Sequence, residues 1–366
     1  MSLSELRLVN FKAFADETLD LRGLTLLTGL NGVGKSTVIQ ALLALRQSYL
    51  QANQEAKFPG LELNGDLVQL GLGSDVLYEK AENDVVEISL KTSSGFGETL
   101  WSFNYERQAD VLSLDEARTV IPDVSAYDEA LFKYNFHYLQ AERLGPRRVS
   151  EMSEYRVKTL GDMGSDGRYA IHFLSLNGDK LVAEFMADEN EADRTLKAQT
   201  TAWMGHVSPG VKFDIRQLES IDLLRLGVSF DGSKFYRATN VGFGISYVLP
   251  IVVALLSSQA GGLVLLENPE AHLHPQGQVK MGELMARAAA AGVQVICETH
   301  SDHILNGVRL AVKQKLLQPD QLAMHFFERE NGKVIVQTPE LDEDGRLDYR
   351  PEGFFDEYGN SMRNLM

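Results

Sequence analysis

From Leu24 to Thr28 the chain is apolar and β-prone, and the period then changes: Val38, Ile39, Leu42, Leu43 and Leu45 recur at the spacing of one helix face. The same change of period returns late in the chain. Leu263–Glu267 is a short, continuously apolar run that ends in a carboxylate, the pattern of a central parallel strand. Residues 277–292, GQVKMGELMARAAAAG, read as a helix closed by Gly292, and Val293–Cys297 reads as the next strand. Just upstream, Asn240-Val241-Gly242-Phe243-Gly244 is a glycine turn that opens an apolar helix. Strand, turn and helix early, with strand, helix and strand late, predict an α/β fold on a mixed sheet.

Between these halves, residues 51–237 hold no sustained heptads, so no long coiled coil is expected. They read as alternating strands and turns at 84–107, 169–181 and 223–240, with one acidic helix-like stretch at 187–205. After His300 the pattern gives a helix to Leu317, a hairpin turning at Asn331-Gly332, and an acidic tail. The expected organisation is a core made of residues 1–50 and 238–316, a β-rich and helical insertion at 51–237 that completes it, and a C-terminal hairpin and tail at 317–366.

The turn between the first strand and helix carries chemistry. Gly29-Leu30-Asn31-Gly32-Val33-Gly34-Lys35-Ser36 fits G-x-x-x-x-G-K-[ST] at every fixed position, in the strand–loop–helix context that a phosphate-binding loop needs. Its glycines let backbone N–H groups turn inward around phosphates, and the helix N-terminus adds partial positive charge. Lys35 is expected on the β- and γ-phosphates of ATP, Ser36 on Mg²⁺, and Thr37 on the α-phosphate. Glu267, at the carboxyl end of its strand, is the second expected Mg²⁺ contact, through water. His300 follows the Val293–Cys297 strand, where a side chain reaches a γ-phosphate.

Five segments together, LRLVNFKAF, LTLLTGLNGVGKST, NVGFGISYVLPIV, LLENPEAHLHPQGQ and ETHSDHILNGV, resemble the ABC-type ATPases of the SMC, RecF and OLD group. The likeness is nearest to small stand-alone bacterial OLD-like members with an ENPEAHLHP segment and a PEGFF tail, here Pro351–Phe355. It implies a P-loop ABC-type head with a mixed sheet and a β-rich inserted subdomain. It implies a homodimer with ATP sandwiched head to tail, in which Asn240, Gly242 and Gly244 cap the γ-phosphate of the other subunit's ATP. For the group it implies roles in DNA maintenance or defence against phage. Long coiled-coil arms and a following nuclease domain, found in parts of the group, are not expected here; the complete ATP site with no second catalytic domain implies a separate effector protein.

Asn268 stands where these ATPases usually carry a catalytic glutamate. Three readings are open. Asn268 occupies the general-base position and hydrolysis is slow; Glu267 or Glu270 supplies the base, with Pro269 fixing the backbone between them; or the base matters little, because phosphoryl transfer depends mostly on positioning and charge.

With 35 Lys and Arg against 51 Asp and Glu, the formal charge is −16, so non-specific coating of nucleic acid is excluded and any DNA contact needs a local basic patch. The most basic stretch, 138–156, offers Arg143, Arg147, Arg148 and Arg156, either for phosphate backbone or for pairing with acidic neighbours. Lys12 and Gln69 are further candidates near the nucleotide and Mg²⁺. His272, His274, His300 and His303 form no recognised zinc framework, and Asp342, Glu343 and Asp344 read as a solvated acidic run. The single cysteine, Cys297, and the lack of any apolar run of membrane-spanning length give an expected cytoplasmic location with no membrane contact. The function expected is an ATP-switched dimeric ATPase that senses or clamps nucleic acid. The alternatives are a nucleotide-dependent scaffold with negligible turnover and a RecF-like recombination mediator.

Overall fold

The N-terminal alternation folds into antiparallel strands. β1 (Leu3–Phe11) pairs with β2 (Phe14–Asp20) across a turn that brings Phe11 opposite Phe14. A computed structural model describes residues 2–51, 58, 60–93, 97–122, 124–218, 221–351 and 353, and its chain divides into two units. The first holds residues 1–133, 323–339 and 350–354; the second holds 134–322, 340–349 and 355–366.

In the first unit β3 (Leu24–Gly29) is buried along all but its last residue and runs through a loop into α1 (Lys35–Gln51). Short β4 (Gly60–Glu62) and α2 (Gly73–Val76) follow. β5 (Val85–Thr92) and β6 (Glu98–Asn104) then extend the antiparallel sheet to the order β2-β1-β5-β6, and β7 (Val111–Ser113) pairs with β4. An aromatic cluster fills this unit. Trp101 lies 6.0 Å from Phe58 and from Phe132, and Tyr127 stacks on Tyr49 at 4.8 Å, separations at which ring quadrupoles attract.

In the second unit β8 (Phe136–Leu139) and, far along the chain, β13 (Leu263–Glu267) and β14 (Gln294–Glu298) are parallel, with β13 between the other two. The apolar runs of β13 and β14 are buried on both faces, as parallel strands require. Between β8 and β13 lie β9 (Ser150–Glu151), α3 (Ala170–Asn177), α4 (Leu196–Val207), a sheet of β10 (Val211–Gln217), β11 (Leu223–Phe230) and β12 (Tyr236–Arg237), and α5 (Phe243–Ser257). α6 (Pro275–Ala290) connects β13 to β14, and α7 (Asp302–Lys313) follows β14. α6 and α7 approach closely because Gly282 faces Gly307; a Cβ on Gly282 would lie 2.3 Å from the Ile304 carbonyl oxygen.

The chain then returns to the first unit as β15 (Leu322–Glu330), which neighbours β3, and β16 (Lys333–Gln337). Asn331 (φ 51°) and Gly332 (φ 78°) make the hairpin turn expected there, a left-handed pair that matches the twist of the strands. The protein is thus α/β, with parallel and antiparallel pairing and no long coiled coil among the described residues.

Two local expectations are corrected. Residues 169–181 do not alternate as a strand; Ala170, Ile171, His172, Phe173 and Leu174 are buried without a break in the first turns of α3, so the run carries no period of two. The acidic stretch is helical only from Leu196. Before it, side chains compete for the backbone: Asp188 accepts from Asn190 N, Glu191 from Asp193 N, and Asp193 from Thr195 N. Thr195 then caps α4 by accepting from Ala198 N.

Candidate functional site

The first unit carries the glycine loop. β3 delivers the chain to Gly29, whose φ of 130° and contact with β15 admit no side chain: a Cβ would sit 2.2 Å from the Phe327 carbonyl oxygen. Gly32 (φ 74°) and Gly34 (φ 106°) continue the left-handed turn, and α1 starts at Lys35. Leu30, Asn31 and Gly32 are exposed at the loop tip, while Thr37 is buried and its N–H bonds to the Gly34 carbonyl at 3.1 Å. Lys35 is buried, and its ammonium curls back to donate to the carbonyls of Gly29 (3.1 Å) and Leu30. A cation held over inward-turned backbone at a helix N-terminus is an arrangement fit for polyphosphate. Ser36, next to it, is partly exposed.

Lys12 lies against the same helix. Its φ is 52°, and its ammonium donates to Gln40 Oε1 at 2.8 Å; half-burial lowers its pKa. Gln69 is exposed on a loop held by Gln47, which bonds to the Glu62 and Val68 carbonyls.

The second unit carries the acidic strand end. Glu267 closes β13 with both carboxylate oxygens engaged: Oε1 accepts from the Tyr138 hydroxyl at 2.9 Å and Oε2 from Ala141 N at 3.0 Å. Burial, and then the charge of Glu267, raise the Tyr138 phenol well above its ordinary range, so it remains a donor. Asn268 follows with φ 45°, a left-handed backbone that Asn tolerates and most residues resist. Its N–H bonds to the Glu298 carbonyl at 2.9 Å. Glu270 faces away from this pair. Its Oε2 accepts from the Thr299 hydroxyl and its Oε1 from His300 N, both at 2.8 Å, so it ties down the loop after β14. The His300 residue is exposed just beyond.

Arg143 organises this end of the unit, through main-chain carbonyls and not through the phosphate or acidic partners expected for it. Its guanidinium is buried and reaches four carbonyls: Gln140 (2.7 Å), Glu267 (2.7 Å), Asn268 (2.9 Å) and Tyr247 (3.1 Å). It also lies 5.0 Å from the centre of the Tyr247 ring. Burial lowers its pKa, with the nearby phenol and carboxylates opposing that shift. The other arginines of 138–156 differ. Arg156 pairs with Asp162 at 3.1 Å, Arg147 lies 3.9 Å from Glu151, and Arg148 is exposed.

The turn at Asn240–Gly244 stands at the start of α5. Asn240, Gly242 and Phe243 are exposed, and a Cβ on Gly242 would meet nothing within 4 Å. Gly244 is closed in, with a Cβ position 2.6 Å from the His272 carbonyl oxygen. Phe243 and Tyr247 both pack on the His272 ring, at 4.8 and 4.7 Å. His274 caps α6 by accepting from Gln276 N, and His303 lies 3.7 Å from Asp302. Cys297 is fully buried in β14. Asp342 binds the N–H groups of Asp344 and Arg346 in a tight turn. Of the PEGFF tail, Glu352, Phe354 and Phe355 lie outside the described residues.

Residues 1–100 match a family model described as "AAA ATPase domain", and residues 161–306 match one described as "AAA domain, putative AbiEii toxin, Type IV TA system". Residues 317–365 match "Protein of unknown function (DUF3696)". Among solved structures the chain is similar to an Smc head bound to the C-winged helix domain of ScpA: 13% identity, TM-score 0.57, over 94% of this chain and 99% of that one. It is also similar to an Smc head with an extended coiled coil, bound to the C-terminal domain of ScpA, from Pyrococcus furiosus: 13% identity, TM-score 0.52, over 99% of each chain. No curated protein matches it significantly. The chain therefore combines ATPase-type domains with the fold of an SMC head.

Proposed function

We propose that the protein is an ATP-binding, slowly hydrolysing ABC-type ATPase whose nucleotide state acts as a switch. One observation carries the slow step. At Asn268 the side chain is an amide, while the neighbouring carboxylates of Glu267 and Glu270 each have both oxygens engaged by donors. The Asn268 amide cannot take a proton from water, and in this reading Glu267 is committed to the cation and Glu270 to the loop after β14; a missing general base lowers rate by ~10²–10⁴. Glu270 acts in this reading as a positioning residue for the His300 loop.

Gly29, Asn31, Gly32, Gly34, Lys35 and Thr37 are assigned to the phosphates, and Ser36 and Glu267 to Mg²⁺. A Mg²⁺ ion held by these two residues would supply charge neutralisation to the phosphates. The Tyr138 hydroxyl and Ala141 N hold the Glu267 carboxylate in place, so it meets a cation without first losing side-chain freedom. Asn240, Gly242 and Gly244 are assigned to a second copy's nucleotide, in a homodimer closed head to tail. The exposed, unobstructed N-terminus of α5 supports that assignment, because it presents backbone N–H groups to an anion.

The wider role we propose is to sense or clamp nucleic acid and to control a separate effector, in defence against phage, from the cytoplasm. Support comes from the OLD-like motifs and from the family description that names a toxin and a type IV TA system. The similar Smc heads are bound to domains of another protein, ScpA, which supports a separate partner here. No helix among the described residues is long and apolar enough to cross a membrane. Steady-state ATP turnover with and without DNA, with sedimentation in a non-hydrolysable analogue, tests the proposal. Slow turnover and analogue-dependent dimers are expected; ATP binding with no turnover in any condition selects the scaffold reading.

A further inference from the structure

The chain is strongly acidic, yet one sheet face is basic. In β10 and β11, Val211, Leu224, Leu226 and Val228 point into the core. The pleat places Lys212, Asp214 and Arg216 of β10, and Arg225, Gly227 and Ser229 of β11, on the opposite side. Arg237 of β12 pairs with Gly227 and joins that side. Four of these side chains are cations, against two carboxylates: Asp214 and, on β9 opposite Leu223 of the same side, Glu151, which lies 3.9 Å from Arg147. Arg216 bonds to Asp214 at 2.6 Å and remains 71% exposed. Lys212, Arg225 and Arg237 are exposed and make no ion pair with any described residue.

The register sharpens the observation. Arg216 and Arg225 are direct cross-strand partners, which places their Cβ atoms about 5 Å apart. Like charges directly opposite destabilise a sheet, and no acid from another strand stands between them. A chain of net charge −16 has acidic residues in abundance to place there. One aromatic residue adjoins the basic face: Phe235, 44% exposed and packed over Gly227. Cations spread over three strands about 4.8 Å apart, beside an exposed ring, form a platform for a phosphate backbone with a base that stacks.

We infer that the Lys212–Arg216–Arg225–Arg237 face of β10–β12, with Phe235, binds single-stranded nucleic acid. An acidic peptide shares the charge requirement but brings no base to stack on the exposed Phe235 ring, so nucleic acid fits better. The inference deepens the nucleic-acid part of the proposed function and rests on it. It also moves the contact away from 138–156, where Arg143 is buried and Arg156 is paired.

The test is binding of labelled oligothymidine to the full chain, free of nucleotide, across a salt series. Failure there leaves the ATP-binding reading intact, because that reading is tested by ATP affinity. Wild type should bind with a steep salt dependence. Arg216→Ala/Arg225→Ala/Arg237→Ala should weaken binding by more than tenfold and flatten the log–log salt slope by about two, at ~0.7 per lost phosphate contact. Phe235→Ala should weaken binding at least fivefold and leave the slope unchanged, since stacking releases no counterions. Arg147→Ala/Arg148→Ala should bind as wild type. If the triple variant melts early, Arg225→Ala alone decides: it should melt no lower than wild type, because it relieves a like-charge pair, and bind more weakly. No binding by wild type, wild-type affinity in the arginine variants, equal affinity for duplex DNA, or equal competition by polyglutamate would each overturn the inference.

Discussion

The guanidinium of Arg143 donates to the carbonyl oxygen of Asn268 at 2.9 Å, across 125 residues of sequence. The bond fixes the backbone where the acidic strand ends and Asn268 turns left-handed. Arg143 thus sets the backbone geometry at Asn268, the residue proposed to stand in the general-base position. Arg143→Lys keeps the charge but cannot span four carbonyls. It should lower unfolding free energy by about 2–4 kcal/mol, the scale of one or two lost charged hydrogen bonds, and slow turnover further. Urea unfolding and a turnover assay on the same preparation check both.

Lys35→Ala removes the ammonium from the loop. ATP affinity should fall by at least ~10-fold, corresponding to one lost charge-assisted contact. Equilibrium dialysis with Mg·ATP measures it; an unchanged Kd would show that the loop does not hold phosphate.

Gly29→Ala and Gly242→Arg separate fold from assembly. The first places a Cβ 2.2 Å from the Phe327 carbonyl oxygen and should cost several kcal/mol, seen as a clear loss of Tm. The second extends from a position with nothing within 4 Å, so Tm and ATP affinity should hold while analogue-dependent dimers disappear in sedimentation.

The first unit should lose stability in mild acid. His325 is buried, with Nε2 donating to the Asp20 carbonyl at 2.7 Å and Nδ1 accepting from Thr338 Oγ1 at 3.0 Å. Burial lowers its pKa, so the folded state resists a second proton that the unfolded chain accepts. Stability from this group is complete above about pH 6.5, the ordinary imidazole value, and is lost as pH falls from there towards the depressed folded pKa. His172, also lowered by burial, adds the same sign in the second unit. Thermal melts between pH 7.5 and 5 should show a smaller acid loss in His325→Gln than in wild type.

The glycine loop and the strand ending in Glu267 were legible because each is one contiguous run: a strand, a fixed spacing and a helix. The Arg143 clamp was not legible, because its partners are main-chain carbonyls, which carry no residue identity, and they lie as far away as Asn268. The left-handed turn at Asn268 was hidden for a related reason: asparagine is common in ordinary loops, and only the backbone shows that this one needs it. Residues 187–195 failed as a helix because Asp188, Glu191 and Asp193 satisfy N–H groups two residues on, a competition that composition alone does not display. Strand β8 escaped notice because four residues, Phe136–Leu139, are too short for a period; its place beside β13 comes from pairing in space.

The central claim is that hydrolysis is slow because Asn268 supplies no base. Steady-state turnover at saturating Mg·ATP tests it in Asn268→Glu, with Asn268→Gln as the control that shares the same left-handed backbone cost but lacks a carboxylate. The account predicts that Asn268→Glu turns over faster than wild type, and ~10²-fold or more faster than Asn268→Gln, the scale of a restored general base. Equal rates in the two variants, or Asn268→Glu no faster than wild type, would contradict it.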